Sequence, residues 1–191
     1  TIDENDLHDK EVGIDPEMLG HIFENLLEDN KDKGAFYTPK EIVRYMCQES
    51  LKEYLKTYLE KNSLWPSDDK AGKTLEETIA AFVEKKETAK IAEFDKEIAT
   101  ALKEVKICDP AIGSGAFPMG LLNEIFTMIK NLHEESPDRV GAVWEMQGET
   151  WQPNIVKQNI IQNSIYGVDI EAGAVDIARL RFWLSLVIEE N

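Results

Sequence analysis

Asp109-Pro110-Ala111-Ile112-Gly113-Ser114-Gly115-Ala116-Phe117 decides how the rest of this 191-residue chain is read. The residues before it, Val105-Lys106-Ile107-Cys108, alternate weakly and are β-branched or apolar, as in a short buried strand. After it, Pro118 to Leu132 carries helix-forming residues at helical spacing. The glycines therefore fall on a strand-to-helix turn. There, glycine permits backbone angles that other residues resist, and no side chain keeps a ligand at a distance. The helix start adds unpaired N–H donors and partial positive charge. An acid followed by Gly-x-Gly at such a strand end builds a pocket for an adenosine-type ligand.

A second acid-tipped strand follows at Ser164-Ile165-Tyr166-Gly167-Val168-Asp169. Strand, glycine turn, helix and second strand make one half of a doubly wound sheet, in which both strands deliver their C-terminal ends to one edge. Asp169 is placed to accept hydrogen bonds from vicinal ribose hydroxyls, and Ile170 to pack on an adenine face. The competing role for Asp169 is an N-cap for the helix after it. That helix, Ala172 to Ile188, is apolar almost all round, with Val175, Ala178, Phe182, Trp183, Leu186 and Val187, and so predicts burial on more than one side. Other nucleotide motifs fail on spacing. A dinucleotide turn needs Gly-x-Gly-x-x-Gly, whereas Pro118 stands after Gly113 and Gly115 and the next glycine is Gly120. Gly72-Lys73-Thr74 has Ser67 where a phosphate-binding loop needs glycine, and no strand precedes it.

Upstream, the pattern is helical. Thr1 to Asp15 is acidic and unpatterned; a helix is expected from Pro16 to about Asn30, with Leu19, Ile22, Phe23, Leu26 and Leu27 on one face. Thr38 is the expected N-cap of the next helix and Pro39 its first residue. Its stripe is Ile42, Val43, Met46, Ser50, Leu51, Tyr54, Leu55, Tyr58 and Leu59. A polar loop containing Trp65-Pro66 separates it from Thr74 to Glu104, helical again. A continuous rod there would be about 45 Å long at ~1.5 Å per residue, so a rod and a hairpin broken near Lys85-Lys86 both stay open. Glu134 to Thr150 reads as irregular, and Gln152 to Gln162 as a helix leading into the second strand.

Formal charge is −16, and acidity exceeds basicity in every third of the chain, with 7 basic against 15 acidic residues in 1–60, 8 against 10 in 61–104 and 6 against 12 in 105–191. A surface that grips duplex DNA by itself gathers Lys and Arg, so the composition argues against this segment as the main DNA-gripping element. Cys47 and Cys108 lack paired spacing and read as buried, reduced thiols, with no metal site. No apolar run approaches the ~18 residues of a membrane span, and a cytoplasmic location is the default expectation.

Residues 109–117 resemble the S-adenosylmethionine-binding motif I of DNA adenine-N6 methyltransferases, most like those of combined restriction-modification enzymes. Gly34-Ala35-Phe36-Tyr37-Thr38-Pro39, followed by Ile42 and Val43, is similar to the upstream motif X of that family, and Tyr166-Gly167-Val168-Asp169-Ile170 with the Arg179-Leu180-Arg181-Phe182-Trp183 helix to motif II. The order X, I, II is the γ arrangement. The resemblance implies an α/β chain: a partial Rossmann-like class I methyltransferase fold over 105–191, preceded by a helical N-terminal region over 1–104 that holds motif X (34–46) and a helical insert (74–104). It also implies S-adenosyl-L-methionine as cofactor. Tyr37, Thr38 and Pro39 would serve the methionine end; Asp109, Pro110, Ala111, Gly113, Ser114 and Gly115 the methionine and sulfonium region; Asp169 and Ile170 the ribose and adenine. Ile112 and Glu171-Ala172 depart from the usual pattern without removing a polar contact.

The family's catalytic Asn/Asp/Ser-Pro-Pro-Tyr/Phe accepts hydrogen bonds from the target amine and stacks on a flipped base. This sequence contains no Pro-Pro pair. No catalytic residue is assigned; Tyr166 and Trp183 read as core by pattern, and DNA contacts and any nuclease or specificity module are expected mostly outside these residues. Two rival readings share the pattern. One is a non-catalytic scaffold whose 74–104 insert docks a partner subunit, and the other is a methyltransferase acting on protein or RNA.

Overall fold

The computed structural model describes residues 38–64 and 69–187, with side-chain surroundings for 38–64 and 74–187. The helix expected over 16–30, Tyr37 and the Trp65-Pro66 loop lie outside the described residues.

Helix α1 spans Lys40–Lys61 and buries Val43, Cys47, Leu51, Leu55 and Leu59, every fourth residue of one narrow stripe. That stripe is slimmer than the composition predicts, since Ile42 and Met46 are about half exposed. Pro39 rather than Thr38 stands at the N-cap, and no side chain caps the helix. The Pro39 carbonyl instead accepts the N–H groups of Ile42 and Val43 at 3.0 and 3.1 Å.

The segment after it is broken, not a rod: α2 covers Asp69–Lys85, a 3-10 turn covers Ala92–Phe94, and α3 covers Asp95–Glu104. The break is a left-handed helix stop at Lys86, with φ of 61°. Lys86 N–H reaches the Phe82 carbonyl at 3.0 Å, the bond that ends a helix in this way, and Glu87 N–H reaches the Ala81 carbonyl at 3.2 Å. Glycine usually fills that position. Lysine is held there because its ammonium donates to the Val83 carbonyl at 2.6 Å and pairs with Glu124.

Strand β1 is Ile107–Asp109, two residues later than its pattern begins, because Val105 N–H still closes α3 onto the Ala101 carbonyl. Then come α4 (Ala116–Glu135), α5 (Pro137–Val143), α6 (Pro153–Asn163), β2 (Ile165–Gly167) and α7 (Ala172–Val187). The expectation of an irregular Glu134–Thr150 fails at α5, where Pro137 occupies a first-turn position that needs no N–H. Helix α4 is the centre of the packing, against α1, α3, α5 and α6. It buries Met119, Leu122, Ile125, Phe126, Met128, Ile129 and Leu132, each worth about 1.5–3 kcal/mol where fully removed from water. One continuous apolar cluster runs from Leu51 of α1 to Phe182 of α7.

The strands are parallel, with Ile107 opposite Ile165, Cys108 opposite Tyr166 and Asp109 opposite Gly167. Among the described residues the sheet has these two strands. Helix α4 packs on β1 and α6 on β2, yet Cys108 and Tyr166, which share the other face, are exposed. Both read as core from sequence, and both are corrected here: alternation supplies an apolar residue for each face, but no described element covers this one. The same holds for α7, which buries Ala178, Arg181, Phe182 and Ser185 while Trp183 and Val187 stay more than half exposed. Only one side of α7 meets α6 and the glycine turn.

Gly167 is fixed by close approach. A Cβ there would lie 2.2 Å from Ile112 Cδ1 and 3.0 Å from Ile112 Cβ. Gly167→Ala is expected to cost about 1–3 kcal/mol by overpacking, and Ile112→Ala in that background to recover part of it, a coupling read from urea unfolding of both single variants and the double variant.

Candidate functional site

Parallel pairing carries both strand ends to the same edge, and the backbone continues the ladder past them. Val168 N–H donates to the Asp109 carbonyl and Ile112 N–H to the Val168 carbonyl, each at 3.0 Å. The chain leaving β1 is thus stitched to the chain leaving β2. Asp109 folds back on its own turn, its Oδ1 accepting the Ala111 N–H at 3.0 Å. Gly115 N–H closes the turn onto the Ile112 carbonyl at 2.8 Å, and α4 begins immediately after.

Both glycines adopt left-handed angles, with φ of 53° at Gly113 and 87° at Gly115. Their environments differ. A Cβ on Gly113 would meet open space, whereas one on Gly115 would press on Ala178 Cβ at 3.2 Å. Gly113 faces the exterior of the turn, and Gly115 is the point where α7 packs beneath it. Phe117 is half-buried, and its carbonyl accepts from Cys47 Sγ at 3.6 Å.

Asp169 closes the arrangement. Its Oδ2 accepts the Gly113 N–H at 2.8 Å and its Oδ1 the Glu171 N–H at 2.9 Å. The side chain therefore serves the start of α7 and the glycine turn together. The backbone N–H of Glu171, and next that of Gly113, hold its carboxyl below the usual aspartate range. An ionised carboxylate offers about four lone-pair sites, more than these backbone donors use. Ile170, directly after it, projects fully into solvent. Of the residues singled out from sequence, Asp109, Pro110, Ala111, Gly113, Ser114, Gly115, Asp169 and Ile170 gather at this edge.

Thr38 and Pro39 sit at the head of α1, whose next turns lie against α4. A Cβ on Gly120 would be 2.7 Å from Val43 Cγ1 and 3.0 Å from Cys47 Sγ, and Gln48 reaches Glu124 at 3.3 Å. Pro39 is thus one helical turn from that crossing, while Tyr37 falls outside the described residues.

Arg181 was legible in principle but not selected. It is buried on α7, and its Nη1 donates to the Ser114 carbonyl at 2.8 Å, with Ser114 Oγ at 3.4 Å. A charged residue in an otherwise apolar helix, three positions after Ala178 on the same buried face, is the signal that marks it.

A cleft of about 540 Å3, lined by Lys103, Glu104, Lys106 and Asn163 among others, opens near the start of β1, at the end of the strands away from the glycines. Its lysines are already engaged, Lys103 with the Val143 carbonyl and Glu145, Lys106 with the Asn163 carbonyl, so the chemistry concentrates at the other end. Among the described residues no metal-ligand cluster occurs and no helix is long and apolar enough to cross a membrane.

The chain is 32% identical, over 188 residues and 93% of its length, to a Methanocaldococcus jannaschii protein provisionally named a type II restriction enzyme and methyltransferase. It spans only 14% of that protein. No family model matches, and no solved structure matches.

Two measurements check the geometry. Because the folded pKa of Asp169 is depressed, its contribution is present above the unfolded value of about 3.9 and disappears as pH falls through the lower folded value. Asp169→Asn is expected to cost about 1 kcal/mol at pH 7 and progressively less as pH falls below about 3.9, judged by urea midpoints relative to the parent. The two thiols should also part company. Burial, then Glu124, pushes Cys47 up to about 12, while Cys108 is exposed; a disulfide reagent at pH 8 is expected to label one thiol in the native protein and two in denaturant.

Proposed function

We propose that this chain forms the S-adenosylmethionine-holding part of a DNA adenine-N6 methyltransferase of a restriction-modification system, within a Rossmann-like class I fold. The observation that carries the reading is the closure of the glycine turn by Asp169, which unites the two acid-tipped strand ends in one place. The similarity to a protein named for both restriction and methyl transfer adds support.

On this reading Asp169 accepts from the ribose hydroxyls, Ile170 covers the adenine, and the open flank of Gly113 admits the ligand where a side chain would intrude. Asp109, held by Ala111 N–H, lies at the turn toward the amino-acid portion, with Pro39 and Thr38 approaching from α1. The bound group would supply an electrophilic methyl on sulfonium sulfur. These residues bind and orient it; the polar tetrapeptide that engages the target amine has no counterpart in the sequence. Negative charge in every third of the chain also fits a part that holds cofactor and leaves phosphate contacts to other segments.

Calorimetric titration of the folded protein with S-adenosylhomocysteine is expected to give saturable binding, and Asp169→Ala to weaken it about tenfold or more, equivalent to about 1.4 kcal/mol. Absence of binding at millimolar ligand on demonstrably folded protein, or an unchanged dissociation constant in the variant, overturns the assignment.

A further inference from the structure

Three consecutive residues of the glycine turn are each held by the segment that follows β2. Asp169 accepts the Gly113 N–H at 2.8 Å. Arg181 donates to the Ser114 carbonyl at 2.8 Å. Ala178 lies where a Cβ on Gly115 would come within 3.2 Å of its own Cβ. Ala178 and Arg181 are three apart and so occupy neighbouring positions on one face of α7, and Asp169 precedes that helix by a short turn. The turn is therefore held from outside its own sequence, by Asp169 and by α7, the nearest of these contacts in the chain being 56 residues away.

We propose that Arg181 is a positioning residue for the ligand turn: by fixing the Ser114 carbonyl it sets the peptide planes between Gly113 and Gly115, and with them the donors and open space presented to the ligand. Glycines at 113 and 115 make the turn possible but leave it free, because glycine samples left- and right-handed angles at similar cost. A buried guanidinium aimed at the carbonyl between them removes that freedom. Its planar, charge-assisted donors bond a carbonyl with more directional force than a neutral group. Its hydrogen bond joins the backbone of one motif to the side chain of another, so a change at position 181 is felt at residues it does not adjoin in sequence. The ligand part of this inference rests on the S-adenosylmethionine reading above; the turn-ordering part does not.

The control is a second buried cation that bonds the same helix from a neighbouring one. Lys157 of α6 is also buried, and its ammonium donates to the Ser185 carbonyl at 3.1 Å near the far end of α7 while resting 4.9 Å from the Phe126 ring centre. It anchors α7 without touching the turn. Arg181→Met, Arg181→Lys and Lys157→Met are compared by amide hydrogen exchange at Gly113 and Gly115 and by S-adenosylhomocysteine titration, with thermal midpoints recorded for all. Arg181→Met is expected to speed exchange of both glycine amides about tenfold and to weaken the ligand by a similar factor. Arg181→Lys, which keeps a donor, should restore part of both, and Lys157→Met should leave both at parental values. Parental exchange in Arg181→Met, or equal acceleration in Lys157→Met, overturns the proposal by reducing Arg181 to general packing. Should the parent bind no ligand while the exchange pattern holds, the cofactor reading fails and the positioning role stands. Should the parent bind ligand and Arg181→Met bind it equally well, the positioning role fails alone.

Discussion

One carboxylate ties the two halves of the site together. Asp169 bonds the start of its own helix and, across the sheet, the first glycine of a turn far back in the sequence. Without it, β1 and β2 would still pair, since Ile107 N–H reaches the Ser164 carbonyl at 2.8 Å and the ladder runs on to Val168. What would be lost is the register of the turn from Gly113 onward, past the last ladder bond at Ile112. Three-residue strands supply little cohesion by themselves. Their placement depends on α4 and α6 behind them, and the shape of the exposed edge depends on Asp169 and α7 in front.

That dependence explains what the sequence revealed. The glycine turn, both strands and the helices flanking them could be read because their signals are local: β-branched alternation, paired glycines, helical spacing. The break at Lys86 was only half legible, since its left-handed stop falls on lysine instead of glycine and is secured by Glu124, a partner 38 residues on. Helix α5 was hidden by Pro137 and Gly141, residues that mark loops on average; here Pro137 opens the helix, and a Cβ at Gly141 would come within 3.3 Å of the Gly148 carbonyl. Side-chain roles were less legible than elements. That Asp169 would reach Gly113, and that Arg181 would bind Ser114, depends on how two segments pack, and spacing within either segment carries no record of it.

Burial shows the same limit from the other side. Apolarity along a strand or helix says that a surface is worth removing from water, but not which neighbour will cover it. Cys108 and Tyr166 lie on one face of the sheet, and Trp183 and Val187 on one flank of α7, all with apolar character and all exposed to solvent. Isolated apolar residues at a surface are ordinary. Here they are grouped by element, on the sheet face opposite α4 and α6 and on the flank of α7 opposite the turn. The helices that do pack have spent their apolar stripes on each other: α1 on α2 and α4, and α4 on α1, α3, α5 and α6.

The distribution of charge separates structure from site in a similar way. Acidic residues outnumber basic ones throughout, yet many of the basic groups that the helical region has are committed to intramolecular pairs, Lys52 with Glu49 and Glu84, Lys56 with Glu76, Lys103 with Glu145. Exposed pairs of this kind contribute little each; their effect is to remove cations from the free surface. At the strand-end edge the balance is struck differently. Asp109 and Asp169 both accept backbone N–H groups, and at Asp169 these bonds stabilise the charge without neutralising it. The guanidinium of Arg181 lies behind the turn, spent on a carbonyl. On the reading proposed above, an edge built this way suits the hydroxyl and ammonium donors of a nucleoside carrying an amino-acid tail better than it suits a phosphate.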